Sequence, residues 1–162
     1  MSSFKVKELM LGLADFFEVI LSNEDLEKGV ISIESVDISL QHIAVKEHSR
    51  LVLSATVDTL EEQLQGSIFP YIMSAHFHWK GTEGGTLGFE PESRQLVYCF
   101  SPQFENPWNK KPNEIAQILF LIYDQVSYWQ DLIDQVRQGA DLPSIEQLHH
   151  MNTFADHQKS LH

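Results

Sequence analysis

Eight histidines and one cysteine are the residues of this 162-residue chain whose types suit metal binding or nucleophilic chemistry. The closest histidines are the pairs His76 with His78 and His149 with His150. Residues one or two apart on a helix point in different directions, and neither spacing is typical of zinc ligands. Cys99 lies within an apolar run, where a reactive thiolate is unfavourable. These residues favour structural roles, and we expect neither a metal ion nor another cofactor.

A glycine motif and two acidic pairs are the other patterns that resemble functional motifs. Gly81–Gly85 has the glycine content of a phosphate-binding loop. It lacks the preceding strand, the following helix and the Lys-Ser/Thr pair of such loops, so a turn is the better interpretation. The pairs Glu24-Asp25 and Glu61-Glu62 are typical of a solvated helix edge or loop. A small hydrolase or metal enzyme therefore has little support, and we expect no enzymatic activity.

The composition indicates one acidic domain. Acidic residues outnumber basic ones 23 to 11, which gives a net charge of −12 and argues against a nucleic acid partner. A single cysteine excludes an internal disulfide bond, which fits a reducing compartment. No apolar run approaches the ~18 residues of a membrane helix, and the first residues lack the apolar core of a signal peptide. We expect a soluble cytoplasmic protein without membrane insertion.

Hydrophobic periodicity predicts one helix and three strands in the first part of the chain. Apolar residues at three- and four-residue spacing predict the first helix over Ser3–Leu21. The strands are predicted at Val30–Ile33, Val36–Val45 and Arg50–Val57. The apolar phase of the second strand reverses near Gln41-His42, which predicts a β-bulge there. Short connections between these strands favour antiparallel pairing.

The second part of the chain predicts a helix, two strands and a long helix. The second helix covers Ser67–Trp79, is apolar on two faces and has Pro70 in its first turn. The two strands are predicted at Thr86–Phe89 and Leu96–Phe100. The third helix begins with Asn113 as its cap and ends at Gly139. The fold class is therefore α+β, with one curved antiparallel sheet and helices packed mainly on one face. The domain spans residues 1–139, and residues 140–162 form a tail with a short helix.

This order of elements, α-β-β-β-α-β-β-α, resembles the class I chaperones of bacterial type III secretion, the family of the Tir chaperone. The residues that carry the resemblance best are the Glu83-Gly84-Gly85 break, the strand Thr86–Phe89, the turn Glu90–Arg94 and the strand Gln95–Phe100. The resemblance implies a homodimer without ATPase activity. It also implies a partner: the extended N-terminal segment of a secreted effector protein, which such chaperones keep soluble and competent for export.

The resemblance further implies two sets of site residues. The second helix and the strand after the double glycine would form the dimer interface, with Ile68, Phe69, Ile72, Met73, His76, Phe77, Leu87 and Phe89. The first helix and a neighbouring strand would bind the effector, with Leu9, Leu13, Phe16, Phe17, Ile31 and Ile33. Phe16 lies off the main apolar stripe, so we expect it to be the most exposed. The alternative function is a binding or regulatory module outside secretion, because a fold does not fix a function.

Overall fold

An antiparallel sheet is the centre of the computed structural model, which describes residues 4–45, 48–79, 81–104 and 106–144. The described residues form five strands in the spatial order β1-β2-β3-β5-β4. Their bounds are β1 Val30–Ile33, β2 Val36–Val45, β3 His48–Thr59, β4 Thr86–Glu90 and β5 Gln95–Phe100. Every neighbouring pair is antiparallel, so β1 and β4 are the two edges of the sheet.

Helices of the described residues pack mainly on one face of this sheet. Their bounds are α1 Phe4–Phe17, α2 Asn23–Lys28, α3 Glu62–His76 and α4 Pro112–Arg137, with short 3₁₀ turns at Phe77–Trp79 and Pro107–Asn109. Of these helices, α1 and α4 contact the central strands of the sheet. The strands direct alternate side chains such as Ile38, Leu53 and Tyr98 into the core, where α4 contributes the fully buried Trp129. The α+β class and the order of elements are confirmed.

The first helix ends earlier than its apolar pattern predicts. The prediction of a helix to Leu21 is wrong, because α1 ends at Phe17 and Glu18 adopts a left-handed φ of 55°. A short helix, α2, follows. Ser22 caps it by accepting the backbone N–H of Asp25, and the Asp25 carboxylate accepts the backbone N–H of Ser22. This local capping box outweighs the apolar continuation of α1.

The predicted β-bulge near Gln41-His42 is also wrong. β2 and β3 pair without interruption from Ser39↔Ser54 to Val45↔His48. The shift of register lies instead in β3, between Thr56 and Asp58, opposite β5. The phase reversal that suggested the bulge has another cause: Ile43 shares the outer face of the strand with Asp37 and is exposed, while Ile38 and Leu40 face the core. The β3 strand begins at His48, and Lys46-Glu47 lie outside the described residues.

The second predicted helix begins five residues earlier than expected, at Glu62 instead of Ser67. Pro70 therefore lies inside α3 and not in its first turn, so that expectation is wrong. The missing N–H of Pro70 leaves the Gly66 carbonyl without its helical partner. Both residues are exposed, so the break in the helical hydrogen bonds lies on the solvent side of α3. The helix ends at His76, and the 3₁₀ turn directs Trp79 away from the buried stripe of α3.

The long helix α4 begins at Pro112, with Lys111 as its N-cap residue, so the prediction of Asn113 as the cap is wrong. The Glu114 carboxylate accepts the Lys111 backbone N–H at 3.0 Å, which satisfies a donor at this end. The predicted end is confirmed. Gly139 has a φ of 93° and donates to Val136, while Ala140 donates to Gln135, as in a Schellman motif. The tail helix predicted beyond Ser144 lies outside the described residues.

Candidate functional site

Burial separates the six predicted effector-binding residues into two groups. Leu9, Leu13, Ile31 and Ile33 are at most 9% exposed and belong to the core of the chain. Their side chains face the layer between α1, α4 and the sheet, and the small accessible surface that Leu9 retains lines a cleft beside Trp108. Phe16 is 49% exposed and Phe17 is half-buried. The structure thus leaves Phe16, with part of Phe17, as accessible members of that set.

An exposed apolar surface surrounds Phe16. Its ring contacts Phe17 at a centroid distance of 5.2 Å, and Phe17 contacts Phe120 of α4 at 5.9 Å. Phe120 is 48% exposed, and the segment after α1 adds Val19 and the fully exposed Ile20. Phe16, Val19, Ile20 and Phe120 are named the α1 patch below. Contiguous exposed apolar surface of this kind marks interaction sites on monomers.

The eight residues predicted for the dimer interface divide in the same way. Ile68, Ile72 and Leu87 are at most 5% exposed, so they lie in the core of the single chain and not on an interface surface. Phe69 is half-buried because it packs against Phe89 at a centroid distance of 4.9 Å. The two apolar stripes predicted for this helix therefore have different environments, one in the core and one at the surface.

The outer stripe of α3 carries a second exposed apolar surface. Met73 is 70% exposed, Phe77 is 67% exposed, and Trp79 in the following 3₁₀ turn is 59% exposed. These three residues are named the α3 patch. They lie close in sequence to His76, which contacts edge strand β4 and thereby connects the end of α3 to that edge.

His76 stabilises the edge of β4 through its imidazole ring. The backbone N–H of Leu87 donates to Nε2 of His76 at 2.9 Å, so this nitrogen carries no proton. Burial lowers the pKa of His76 below its ordinary value of 6.5. The neutral imidazole is therefore the form that accepts this hydrogen bond in the folded chain. This hydrogen bond occupies a donor on the open side of β4, which would otherwise be free to pair with another chain.

The double glycine holds the turn before β4 against a buried tyrosine. The hydroxyl of Tyr98 donates to the carbonyl oxygen of Thr82 at 2.8 Å, beneath this turn. A Cβ atom on Gly85 would lie only 2.2 Å from Cζ of Tyr98, so no larger residue fits there without displacement. Gly84 has a φ of 83°, a conformation that favours glycine. The Glu83-Gly84-Gly85 segment thus sets the path of the chain into β4.

The loop before α4 is fixed by Trp108. Its indole Nε1–H donates to Oγ of Ser49 at 3.0 Å, and its backbone N–H donates to Oδ1 of Asn106 at 3.1 Å. The same Ser49 hydroxyl is 2.6 Å from Nε2 of His42, whose ring packs edge-on against the indole at 5.0 Å. The Lys5 ammonium lies 5.7 Å from the centre of the indole ring. Contacts from α1, β2 and β3 therefore hold this loop.

The described residues contain no cluster of three or more His, Cys, Asp or Glu side chains arranged to hold a metal ion. Burial raises the pKa of the Cys99 thiol, which disfavours the thiolate. Within the same described ranges, no helix is both long and apolar enough to cross a membrane. The exposed apolar patches and the loop of Trp108 are therefore the surface features with the clearest capacity for binding.

Val19, Phe120 and Trp108 were not predicted as site residues. Val19 and Phe120 lacked a signal, because apolar residues beside a helical stripe are ordinary core candidates. Trp79 was predicted as the end of the second helix and so as part of the dimer interface, but it lies in the 3₁₀ turn that follows α3. Trp108 had a weak signal, since a tryptophan in a proline-rich loop usually needs a polar partner for its N–H.

Comparison with known proteins supports the fold. No model of a protein family matches the chain, and no curated protein matches it. Seven chains of solved structures match. One belongs to the crystal structure of the ExsC-ExsE complex, with 24% sequence identity and a TM-score of 0.58. The alignment covers 82% of this chain and 96% of that chain. At this level of identity, the similarity shows a shared fold alone.

Proposed function

We propose that this chain is a type III secretion chaperone that binds an extended segment of a secreted effector protein in the cytoplasm. It keeps that segment soluble and competent for export, and its mechanism is binding without catalysis. The fold is that of a chain from the solved ExsC-ExsE complex, a complex between two proteins. The observation that carries the proposal is the α1 patch, a cluster of large apolar side chains on the surface of a strongly acidic chain.

The α1 patch has the chemistry that capture of an unfolded segment needs. An extended client loses conformational freedom when it binds, so apolar contacts must offset that loss. The rings of Phe16 and Phe120 are each about half exposed and therefore accessible to a client side chain, and the half-buried Phe17 contacts both. Ile20 is fully exposed and extends the surface past the end of α1. Apolar anchors of the client bind here, while the surrounding charges keep the complex in solution.

The chaperone acts as a homodimer through the α3 patch. Met73, Phe77 and Trp79 supply apolar surface that a second copy covers, and strand β4 lies beside them at the edge of the sheet. Each chain contributes a net charge of −12, so burial of apolar surface has to outweigh the mutual repulsion of two copies. The α1 patch and the α3 patch are built on different helices, which leaves the first free for the client.

Two matched variants of α1 test the client surface. Phe16→Glu introduces a charge into the α1 patch, while Leu11→Glu does so at a residue of similar exposure, 55% against 49%. Five residues on a helix correspond to a rotation of about 140°, so Leu11 points away from Phe16. Tagged wild-type protein and both variants are used to capture proteins from the native host, with circular dichroism and sizing as controls of folding.

We expect wild type and Leu11→Glu to capture the same secreted effector, and Phe16→Glu to lose it while remaining folded. A cytoplasmic regulator as the captured protein would instead favour the alternative function, a regulatory module. Equal capture by Phe16→Glu and Leu11→Glu would show that the α1 patch does not bind the client.

A further inference from the structure

A cleft of about 140 Å³ lies between α1 and the start of α4, beside Trp108. Its inner wall is formed by Leu9, Gly12 and the indole of Trp108, and its rim by Lys5, Glu8 and Lys110. An apolar protein cavity of roughly 150 Å³ accommodates a benzene molecule, so this cleft has room for one aliphatic side chain. The space exists because Gly12 has no side chain: a Cβ atom there would already touch Pro112 at 3.5 Å.

The wall of the cleft is formed before any ligand arrives. The hydrogen bond from Trp108 to Ser49 and the packing of His42 hold the indole in one orientation. A rigid aromatic wall costs a ligand little conformational entropy, because the side chain is already ordered. The cleft is therefore suited to the insertion of a side chain, and not only to adventitious surface contact.

The charges at the rim differ from those of the rest of the surface. Lys110 is paired with Glu114 at 3.0 Å, and the Lys111 backbone N–H and this lysine hold the pKa of Glu114 below its usual range. No carboxylate of the described residues forms an ion pair with Lys5, whose ammonium lies over the indole. Glu8 is the other charged side chain of the rim. Lys5 is thus available to a ligand carboxylate, on a chain whose net charge repels acidic partners elsewhere.

The cleft is continuous with the α1 patch. Lys5, Leu9, Gly12 and Phe16 follow one another at four- and three-residue spacing along one side of α1. At the cleft, Gly12 faces Pro112 of α4, and further along, Phe17 contacts Phe120. The seam between the two helices therefore leads from the cleft to the patch. Eight residues of helix separate Glu8 from Phe16, which is roughly 12 Å, or about four residues of an extended segment.

We propose that this cleft, the Trp108 cleft, is a second subsite for the client segment and that it recognises an aliphatic side chain next to a carboxylate. The aliphatic side chain enters the space above Gly12, and the carboxylate pairs with Lys5. The apolar anchor of the same segment binds the α1 patch about four residues away. This inference rests on the proposed function, since it specifies the client that the chaperone accepts.

Synthetic peptides with a fluorescent label test the chemistry of the subsite. One peptide carries a Leu-Asp pair and, about four residues away, a phenylalanine, in an otherwise uncharged sequence of about 12 residues. The matched peptide carries Leu-Lys in place of Leu-Asp. Each is made with the two anchors in both orders, because the cleft does not fix the direction of the segment. Binding to the full chain is followed by fluorescence anisotropy at low ionic strength.

Of the two anchor orders, we expect the one that binds more tightly to favour Leu-Asp over Leu-Lys on the order of fivefold in affinity. This difference corresponds to the free energy of an exposed ion pair. Lys5→Glu should abolish or reverse that preference, while Lys7→Glu, the same change on α1 at a residue that does not line the cleft, should keep it. Gly12→Leu fills the cleft and should weaken both peptides. Its control is Gly66→Leu, a helix-interior glycine in α3 whose added Cβ meets nothing within 4 Å. Replacing a helix-interior glycine favours the helix, and circular dichroism checks that both leucine variants fold.

Equal binding of the two peptides, an unchanged preference in Lys5→Glu, or no binding to the wild-type chain would each overturn the proposal. A change of oligomeric state in Gly12→Leu, without peptide binding, would assign the cleft to a second copy of the chain and overturn it too. These results leave the proposed function standing if Phe16→Glu still loses the native effector. If the peptide preference is absent and Phe16→Glu also captures the native effector as wild type does, the proposed function itself loses its basis.

Discussion

Replacement of Gly85 by alanine should destabilise the fold more than any other glycine change near β4. The new Cβ would lie 2.2 Å from both Cζ and Oη of Tyr98, where an ordinary carbon–carbon contact is roughly 3.5 Å. Tyr98 is fully buried and bonded to the Thr82 carbonyl, so its ring has no free space to move into. Overpacking costs about 1–3 kcal/mol, and loss of the hydrogen bond costs about 1 kcal/mol. We expect a total loss of about 2–4 kcal/mol of unfolding free energy.

Two neighbouring glycines provide the controls. Gly84→Ala meets the Phe100 ring at an ordinary 3.6 Å, but its φ of +83° costs a side chain about 1–2 kcal/mol. Gly88→Ala meets nothing within 4 Å and lies inside β4, where alanine is favoured over glycine by about 0.5–1 kcal/mol. The three variants therefore separate steric overlap, backbone strain and unfolded-state entropy.

Urea unfolding followed by circular dichroism measures the three free energies. The expected order of stability is Gly88→Ala at or above wild type, then Gly84→Ala, then Gly85→Ala. A Gly85→Ala variant within about 0.5 kcal/mol of wild type, the range of neutral surface changes, would refute the close packing of Tyr98 beneath the turn.

Three further predictions concern the dimer, a histidine and an ion-pair network. Light scattering should give about twice the chain mass of 18.6 kDa, and Met73→Asp should give a folded monomer while Gln63→Asp, an exposed control on α3, stays dimeric. A wild-type monomer at micromolar concentration would contradict the dimer. Because burial lowers the pKa of His76, the unfolded chain takes up this proton first. Stability should therefore be complete above pH 6.5 and fall as the pH drops from 6.5 through the folded pKa. His76→Gln should flatten this dependence in urea titrations at different pH, and an unchanged slope would exclude His76 as its source. Arg137 binds Asp58, Glu61 and Asp134, so Arg137→Ala should lower the melting temperature, and less so in 1 M salt, roughly where the Debye length is 3 Å. The exposed Lys28 pair is the control, and equal effects of Arg137→Ala and Lys28→Ala would contradict a special role for the network.

The elements predicted best from the sequence are those in which buried apolar residues repeat at regular spacing. Ile115, Leu119, Ile122 and Val126 repeat at three- and four-residue spacing, and all four are fully buried on α4. The strands were located by the same reasoning, since alternate residues of each strand face the core. Gly139 was a reliable helix terminator because few other residues adopt its positive φ.

Local competition between signals explains the incorrect boundaries. Ile20 and Leu21 continue the apolar pattern of α1, but the capping box of Ser22 and Asp25 starts a new helix. Hydrophobic periodicity records which residues are apolar and does not record which of them the fold leaves exposed. Ile43 therefore suggested a bulge, although it lies on the outer face of a regular strand.

The candidate site was predictable in its location and in only one of its residues. Phe16 was expected to be exposed because it lies off the apolar stripe of the first helix, and it is 49% exposed, whereas the burial of Leu9 and Leu13 depends on how α1 packs against the sheet and α4. The Trp108 cleft was beyond sequence reasoning, because Trp108 and its hydrogen-bond partner Ser49 are 59 positions apart in the chain. Contacts between residues so distant in sequence arise only from the packing of the complete fold.

Site-specific photo-crosslinking in the native host tests the central claim most directly. A benzoylphenylalanine residue replaces Phe16 in one variant and Leu11 in the other, and the cross-linked peptides are identified by mass spectrometry. We expect position 16 to react with one segment near the N-terminus of one secreted protein, and position 11 not to react with it. Cross-links from position 16 to a second copy of this chain alone, or equal reaction at both positions, would contradict the claim that α1 holds an extended client.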